Sequence, residues 1–254
     1  MDEKLIKQIK DNKLRLVELF SNKITTKDYV RYFNDGVKDK YGENFTDLFS
    51  PLTSSLLNEI YQYKKDRQER HIRIATYNKE DILTKLSFND DLILTMAANK
   101  VNPQPLKINN LKFLNLKNHP EIINDILYLE LKHYGKVYGE SFEARDTYHY
   151  FVNTLQYDGL DYFVCYFNNN IVGHAHTYYS DGVVALDGLL VDKDYRHLGI
   201  GSNLISYVQN YYNCPIYLHA SEDETSKDMY TKLGFETIDQ KHYYLYLDKS
   251  IKNN

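Results

Sequence analysis

The chain has 254 residues, 43% of them apolar, with only 5 prolines and a formal net charge of -4. This composition excludes a disordered or fibrous chain, and the length fits two domains. No basic patch interleaves with aromatic residues and no apolar run reaches membrane-spanning length, so neither nucleic acid nor membrane is expected as a partner.

The amino terminus is charged from Asp2 onward, so no signal peptide is read there. The first 50 residues are expected to be mainly helical, with Leu5, Ile6, Ile9, Leu16, Val17 and Phe20 as apolar positions. Further on, His71–Thr76 reads as a strand, followed by a short helix that stops at Thr84-Lys85-Leu86-Ser87-Phe88. Pro103 and Pro105 fit neither a helix interior nor a central strand, so Val101–Pro105 is the expected boundary between modules 1–105 and 106–254. The first module is slightly basic and the second clearly acidic.

After the prolines, Leu111–Leu116 is expected as a strand, Glu121–His133 and Phe142–Leu155 as helices, and Asp161–Phe167 as a strand. Asn168-Asn169-Asn170 and Ser180-Asp181-Gly182 are hairpin turns flanking a return strand, Ile171–Tyr179. Val183–Val191 is the next strand, and Ser202–Tyr212 an amphipathic helix. Strand Pro215–Ala220, helix Asp223–Leu233, and strands near Phe235 and over His242–Leu247 complete the order. The segments Pro215–Ala220 and Thr231-Lys232-Leu233-Gly234-Phe235 echo His71–Thr76 and Thr84–Phe88, in the same order. The echo lacks chemistry: no glycine occurs between Gly42 and Gly135, and Leu83 stands where the second copy has Tyr230.

Between the strand ending at Val191 and the helix from Ser202 lies Tyr195-Arg196-His197-Leu198-Gly199-Ile200-Gly201. Glycine lets a backbone approach a ligand closely, and the free N–H groups of a first helical turn attract an anion. The pattern Arg-x-x-Gly-x-Gly, with its flanks from about Leu111 to Leu247, resembles the acyl-CoA pyrophosphate loop of the GNAT superfamily of N-acetyltransferases.

The resemblance implies an α/β (α+β) GNAT fold for 106–254: a mixed, mostly antiparallel sheet with helices on both faces. A smaller α/β module, degenerate and non-catalytic, would precede it. Acetyl-CoA would be the acyl donor, with its pyrophosphate on Leu198, Gly199, Ile200, Gly201 and Ser202 and with Arg196 and His197 alongside. Leu189, Leu190 and Val191 would bind the pantetheine arm where their strand splays from Pro215–Ala220, with Gly188 marking a bulge. Tyr230, in Tyr-x-x-x-Gly-Phe, would be the general acid for the leaving thiolate. Asp223 stands where many relatives have Asn; it still caps a helix but cannot donate as an amide does.

Asp187 is the candidate general base, on the strand face of Leu189 and Val191, where apolar surroundings would raise its pKa; Glu222 is a weaker alternative. His174 and His176 share a strand face, and with His219 they are candidates for acceptor contact. Tyr134, Tyr138 and Glu140 would border the acceptor pocket. No ligand cluster suggests a metal.

The cysteines, Cys165 and Cys214, lack CxxC spacing or a neighbouring base; both are expected as buried free thiols in a reducing cytoplasm. The expected function is therefore acetyl transfer to a primary amine by direct attack, without a covalent cysteine intermediate. The alternative is a non-catalytic acyl-CoA-binding sensor, and a homo-oligomer is compatible with the sequence.

Overall fold

The computed structural model describes residues 1–222 and 226–247. In chain order the elements are α1 (Glu3–Phe20), β1 (Asn22–Thr25), β2 (Tyr29–Phe33), β3 (Phe45–Leu48), α2 (Ser54–Arg67), β4 (His71–Thr76), α3 (Asp81–Lys85) and β5 (Asn89–Ala98). Then come β6 (Lys112–Asn115), α4 (Ile123–Tyr138), α5 (Glu140–Gln156), β7 (Leu160–Phe167), β8 (Asn170–Ser180) and β9 (Val183–Val191). The last four are α6 (Ile200–Tyr212), β10 (Ile216–Ser221), α7 (Ser226–Lys232) and β11 (Glu236–Leu247).

Two compact units form, each drawn from three segments. One holds Met1–Asn12, Met96–His219 and Asp228–Glu236; the other holds Lys13–Thr95, Ala220–Lys227 and the segment from Thr237. Pro105 lies inside the first of these.

In the first unit the strands run in the order β10, β9, β8, β7, β6. β6 to β9 are antiparallel neighbours, whereas β9 and β10 are parallel. The two hairpins have two-residue turns: Asn168 and Asn169 at φ 49° and 63°, and Asp181 and Gly182 at φ 55° and 76°. Positive φ at both central positions matches the right-handed twist of the flanking strands, which is why Asn and Gly occur there. Between Pro120 and His133 the sequence gives a short 3-10 turn and then α4, whose buried Ile123, Ile126 and Leu129 pack with Tyr162, Val164 and Leu190.

In the second unit the order is β1, β2, β3, β4, β11. β3 and β4 are parallel; β11 pairs antiparallel with β4 through six residues, from His242↔Thr76 to Leu247↔His71. Leu56, Leu57 and Ile60 of α2 pack on Ile72, Ile74 and Tyr244. The buried Arg31 is neutralised by an ion pair with Glu69, which also takes Arg67 at 3.1 Å.

Two expectations are corrected here. The first 50 residues are not mainly helical: α1 stops at Phe20, and three strands follow. β1 is exposed along its whole length, so no apolar period marks it, and Arg31 interrupts the apolar run of β2. The end of the chain holds one strand, β11, rather than two. The polar stretch Asp239-Gln240-Lys241 reads as a break, but it is held in the strand by Tyr77 Oη donating to Asp239 Oδ2 at 3.1 Å and by the Lys241–Asp47 ion pair.

Candidate active site

The glycine loop is built by the turn before it. Asp192 accepts from the Asp194 backbone N–H at 3.1 Å and from Lys132 Nζ at 2.6 Å. Burial opposes the Asp192 charge, but Lys132 and the Asp194 N–H outweigh it and hold its pKa below the usual range. Arg196 is exposed, and its Nε donates to the Val191 carbonyl at 3.2 Å. His197 is exposed at φ 61°, and Leu198 packs against the buried cluster of Cys165, Val172 and Ile200.

Gly199 caps α6 at φ 86°, and no side chain caps the N–H groups of the first turn. A Cβ there would sit 2.7 Å from the Pro105 carbonyl oxygen, so glycine is required by both space and conformation. Ser202 Oγ turns back to the Gly199 carbonyl at 2.9 Å, and Asn203 Nδ2 reaches the same oxygen at 2.8 Å. The N–H groups from His197 to Ser202 find no acceptor among the described residues. Six such donors in and around one helical N-terminus are an arrangement that could take an anion.

β9 and β10 pair only through Ile216↔Val184, Tyr217↔Ala185 and Leu218↔Leu186. There the described pairing stops, and Leu189, Leu190 and Val191 run on beside β8 alone. The stop coincides with a bulge in β9: His176 pairs with Gly188 and Thr177 with Leu186, which leaves Asp187 unmatched. The expected bulge at Gly188 is thus present.

Asp187 is not in apolar surroundings. Its side chain is 33% exposed, accepts from Tyr150 Oη at 2.9 Å, and lies 3.6 Å from His176 Nδ1. The ring of His176 packs 4.5 Å from Tyr150 and 5.1 Å from Tyr162. His174, almost wholly buried, places Nε2 3.0 Å from Glu130 Oε1. Burial alone would raise the Glu130 pKa, but the approach of His174, with His176 and Tyr162, lowers it. The Tyr162 phenol is pushed well above its ordinary value by burial, then by Glu130.

Glu130, Tyr150 and Tyr162 were not singled out in the sequence. Two lie on helices whose period marks only burial, and the third sits in an apolar strand. The His-x-His spacing of His174 and His176, and Asp187 on the facing strand, are the sequence signals that point to this cluster.

Tyr230 is half-buried on α7, with its ring 5.7 Å from Phe235. The helix closes as the Gly234-Phe235 pair predicts: Gly234 has φ 96°, its N–H donates to the Thr231 carbonyl, and the Phe235 N–H donates to the Tyr230 carbonyl, both at 3.0 Å. Asp223 lies outside the described residues. Glu222 is 3.7 Å from Lys227 Nζ. His219 is exposed on β10, with its ring 5.8 Å from Tyr217. The Tyr134 ring lies tilted against Tyr138, 6.0 Å between centroids, near the start of α5 at Glu140.

Cys165 is buried and Cys214 half-buried, and both are free. Burial raises the thiols to about 12 and about 11, far from nucleophilic thiolate at neutral pH. Among the described residues no cluster of His, Cys, Asp or Glu could hold a metal ion, and no helix is long and apolar enough to cross a membrane.

No curated protein matches the chain. Three solved structures resemble it in fold. A functionally unknown conserved protein from Staphylococcus epidermidis ATCC 12228 is 21% identical with a TM-score of 0.78, over 92% of this chain and 97% of that one. A GCN5-related N-acetyltransferase from Kribbella flavida is 12% identical with a TM-score of 0.63, over 93% of each chain. A tandem GNAT protein from the clavulanic acid biosynthesis pathway is 11% identical with a TM-score of 0.54, over 87% of this chain and 78% of that one. Residues 124–235 match the acetyltransferase (GNAT) family, a span that runs from the start of α4 through the glycine loop to Phe235. The loop, the parting strands and the Tyr230–Phe235 closure all lie inside that span, so the stretch of this chain that is similar to the GNAT family is the one that carries the candidate site.

Proposed function

We propose that the protein is an acyl-CoA-dependent N-acyltransferase that moves acetyl from acetyl-CoA to a primary amine by direct attack. The observation that carries this reading is the uncapped start of α6 beside the parting of β9 and β10. The pyrophosphate would take the N–H groups from Leu198 to Ser202, with Arg196 and His197 beside it. The pantetheine arm would lie along Leu189 to Val191, whose backbone polarises the thioester carbonyl and stabilises the oxyanion as it forms.

Tyr230 would supply the proton to the leaving thiolate. The proton lost by the amine would leave toward the bulge at Asp187. Neither cysteine is activated, which favours direct attack over an acyl-cysteine intermediate. Two free cysteines suit a reducing compartment, and we place the protein in the cytoplasm. Residues 106–254 would carry catalysis, with 1–105 a non-catalytic support.

The test is thiol release from acetyl-CoA on adding a panel of primary amines, with product masses measured. Amide products support the reading. CoA binding without thiol release, across the panel, would favour the sensor instead.

A further inference from the structure

We propose that His176 is the base that accepts the proton of the attacking amine, and that Asp187 positions its ring. The inference rests on the acetyl-transfer reading above and names the atom to which the proton moves.

The β9 bulge makes this arrangement. By removing Asp187 from the pairing register, it brings that carboxylate toward the ring of His176 on the neighbouring strand, with Oδ2 3.6 Å from Nδ1. It also sets the ring directly over Gly188. A Cβ on residue 188 would lie 2.4 Å from His176 Nε2 and 2.5 Å from Cε1, so only glycine admits the ring there. Gly188 immediately precedes Leu189–Val191, the edge proposed to hold the thioester. His176 Nε2 thus lies beside the residue that leads into that edge, on the side from which we take the amine to approach.

The ring is held on several sides. Tyr150 lies 4.5 Å away, Tyr162 5.1 Å, and the His174 ring 6.3 Å away and nearly parallel at 17°. Its two nitrogens have different surroundings. Nδ1 is buried and faces Asp187, whose carboxylate is fixed from its other side by Tyr150 Oη at 2.9 Å. Nδ1 has no hydrogen-bond partner among the described residues, and Nε2 lies against Gly188. A neutral imidazole that keeps its proton on Nδ1, toward the carboxylate, leaves the Nε2 lone pair open. A 3.6 Å separation is long for a hydrogen bond, but such contacts commonly tighten once substrate is bound.

The titratable groups facing His176 are Glu130 from α4, Tyr150 from α5, Tyr162 from β7, His174 from its own strand and Asp187 from β9. The two carboxylates stabilise the imidazolium that forms when Nε2 takes a proton.

The step balances as follows. The lone pair of a neutral amine attacks the carbonyl carbon, and a C–N bond forms while the surplus proton on nitrogen passes to Nε2. The C–S bond breaks, the electron pair leaves with sulfur, and Tyr230 protonates the thiolate. His176 returns its proton, through solvent, to the Tyr230 phenolate.

Two measurements test this. In protein labelled with 15N-histidine, long-range 1H–15N spectra report which nitrogen carries the proton, and His176→Gln assigns the signal. The neutral ring is expected as the Nδ1–H form, shifting toward Nε2–H in Asp187→Asn. A native ring protonated on Nε2 overturns the proposal.

The second measurement is thiol release from acetyl-CoA with spermidine, an aminoglycoside and a lysine peptide, against pH. His176→Gln should lower turnover on the order of 100-fold or more, the usual worth of a general base, with CoA affinity unchanged by calorimetry. Asp187→Asn should lower turnover with CoA affinity unchanged, because the ring loses the group that fixes its tautomer. His176→Gln turning over at the parental rate overturns the base assignment alone. A parent that binds CoA yet releases no thiol with any of the three amines overturns the transfer reading, and the base assignment with it.

Discussion

Helices α2 and α6 occupy equivalent places in the two halves of the chain. Each follows a strand that pairs in parallel with the next one, β3 with β4 and β9 with β10. Their first turns differ. α2 starts at Ser54 behind Pro51, and Thr53 Oγ1 accepts from the Leu56 N–H at 3.2 Å, so the helix caps itself. α6 starts on Gly199 with no side-chain cap. One helix uses its end for its own stability, and the other leaves its first-turn N–H groups uncapped.

The next helices repeat the contrast. α3 and α7 close with the same pair of bonds: Ser87 N–H to the Thr84 carbonyl and Phe88 N–H to the Leu83 carbonyl, matching Gly234 to Thr231 and Phe235 to Tyr230. Yet Leu83 is wholly buried, whereas Tyr230 keeps a phenol partly in the open. The frame of the echo is retained and its chemistry is absent. A fold can be duplicated while only one copy keeps a site.

Cutting the comparison in two should have the largest effect. Expressed alone, 106–254 would leave the β11 edge that pairs with β4 without its partner. We expect an insoluble or molten product, seen as lost near-ultraviolet dichroism; a cooperative thermal transition in the fragment would refute this.

Gly201→Asp comes next. A Cβ there already meets Val191 Cγ2 at 3.3 Å, and the added charge opposes phosphate. CoA affinity should fall on the order of 100-fold or more, about 3 kcal/mol, with far-ultraviolet dichroism intact. The matched change Thr53→Ala should cost about 1 kcal/mol in stability and leave CoA binding alone.

Tyr230→Phe should slow turnover by roughly 10²–10⁴-fold if the phenol donates, at unchanged CoA affinity. Parental speed with chemistry rate-limiting would return the ring to packing.

The smallest pair of effects lies at the helix stops. Gly234→Ala adds a Cβ 3.2 Å from the Lys100 carbonyl at φ 96° and should cost about 1–2 kcal/mol, whereas Ser87→Gly, relieving φ 64°, should gain up to about 1 kcal/mol. Denaturant midpoints would show both, and equal signs would dissolve the distinction.

Much of the second half was legible because its signals are local. The Asn168-Asn169 and Asp181-Gly182 turns, the Gly199 cap and the Gly234 stop each require a left-handed backbone, and few residue types supply it. The first half hides its strands because β1 is exposed and β2 carries a buried charge satisfied by the distant Glu69. The site was half legible. The glycine loop could be read, but the Glu130–His174 and Asp187–His176 contacts join helices and strands that no sequence period connects.

The pairing of β11 with β4 also bears on how the chain acquires its structure during synthesis. β4 is made well before β11, so the side of β4 that takes β11 stays unpaired until the intervening chain and β11 itself have been made. Long-range strand pairing of this kind is slow, because loop closure must precede the contacts that reward it. Until then the nascent chain exposes an open edge and the apolar surface beside it, the kind of surface that favours aggregation.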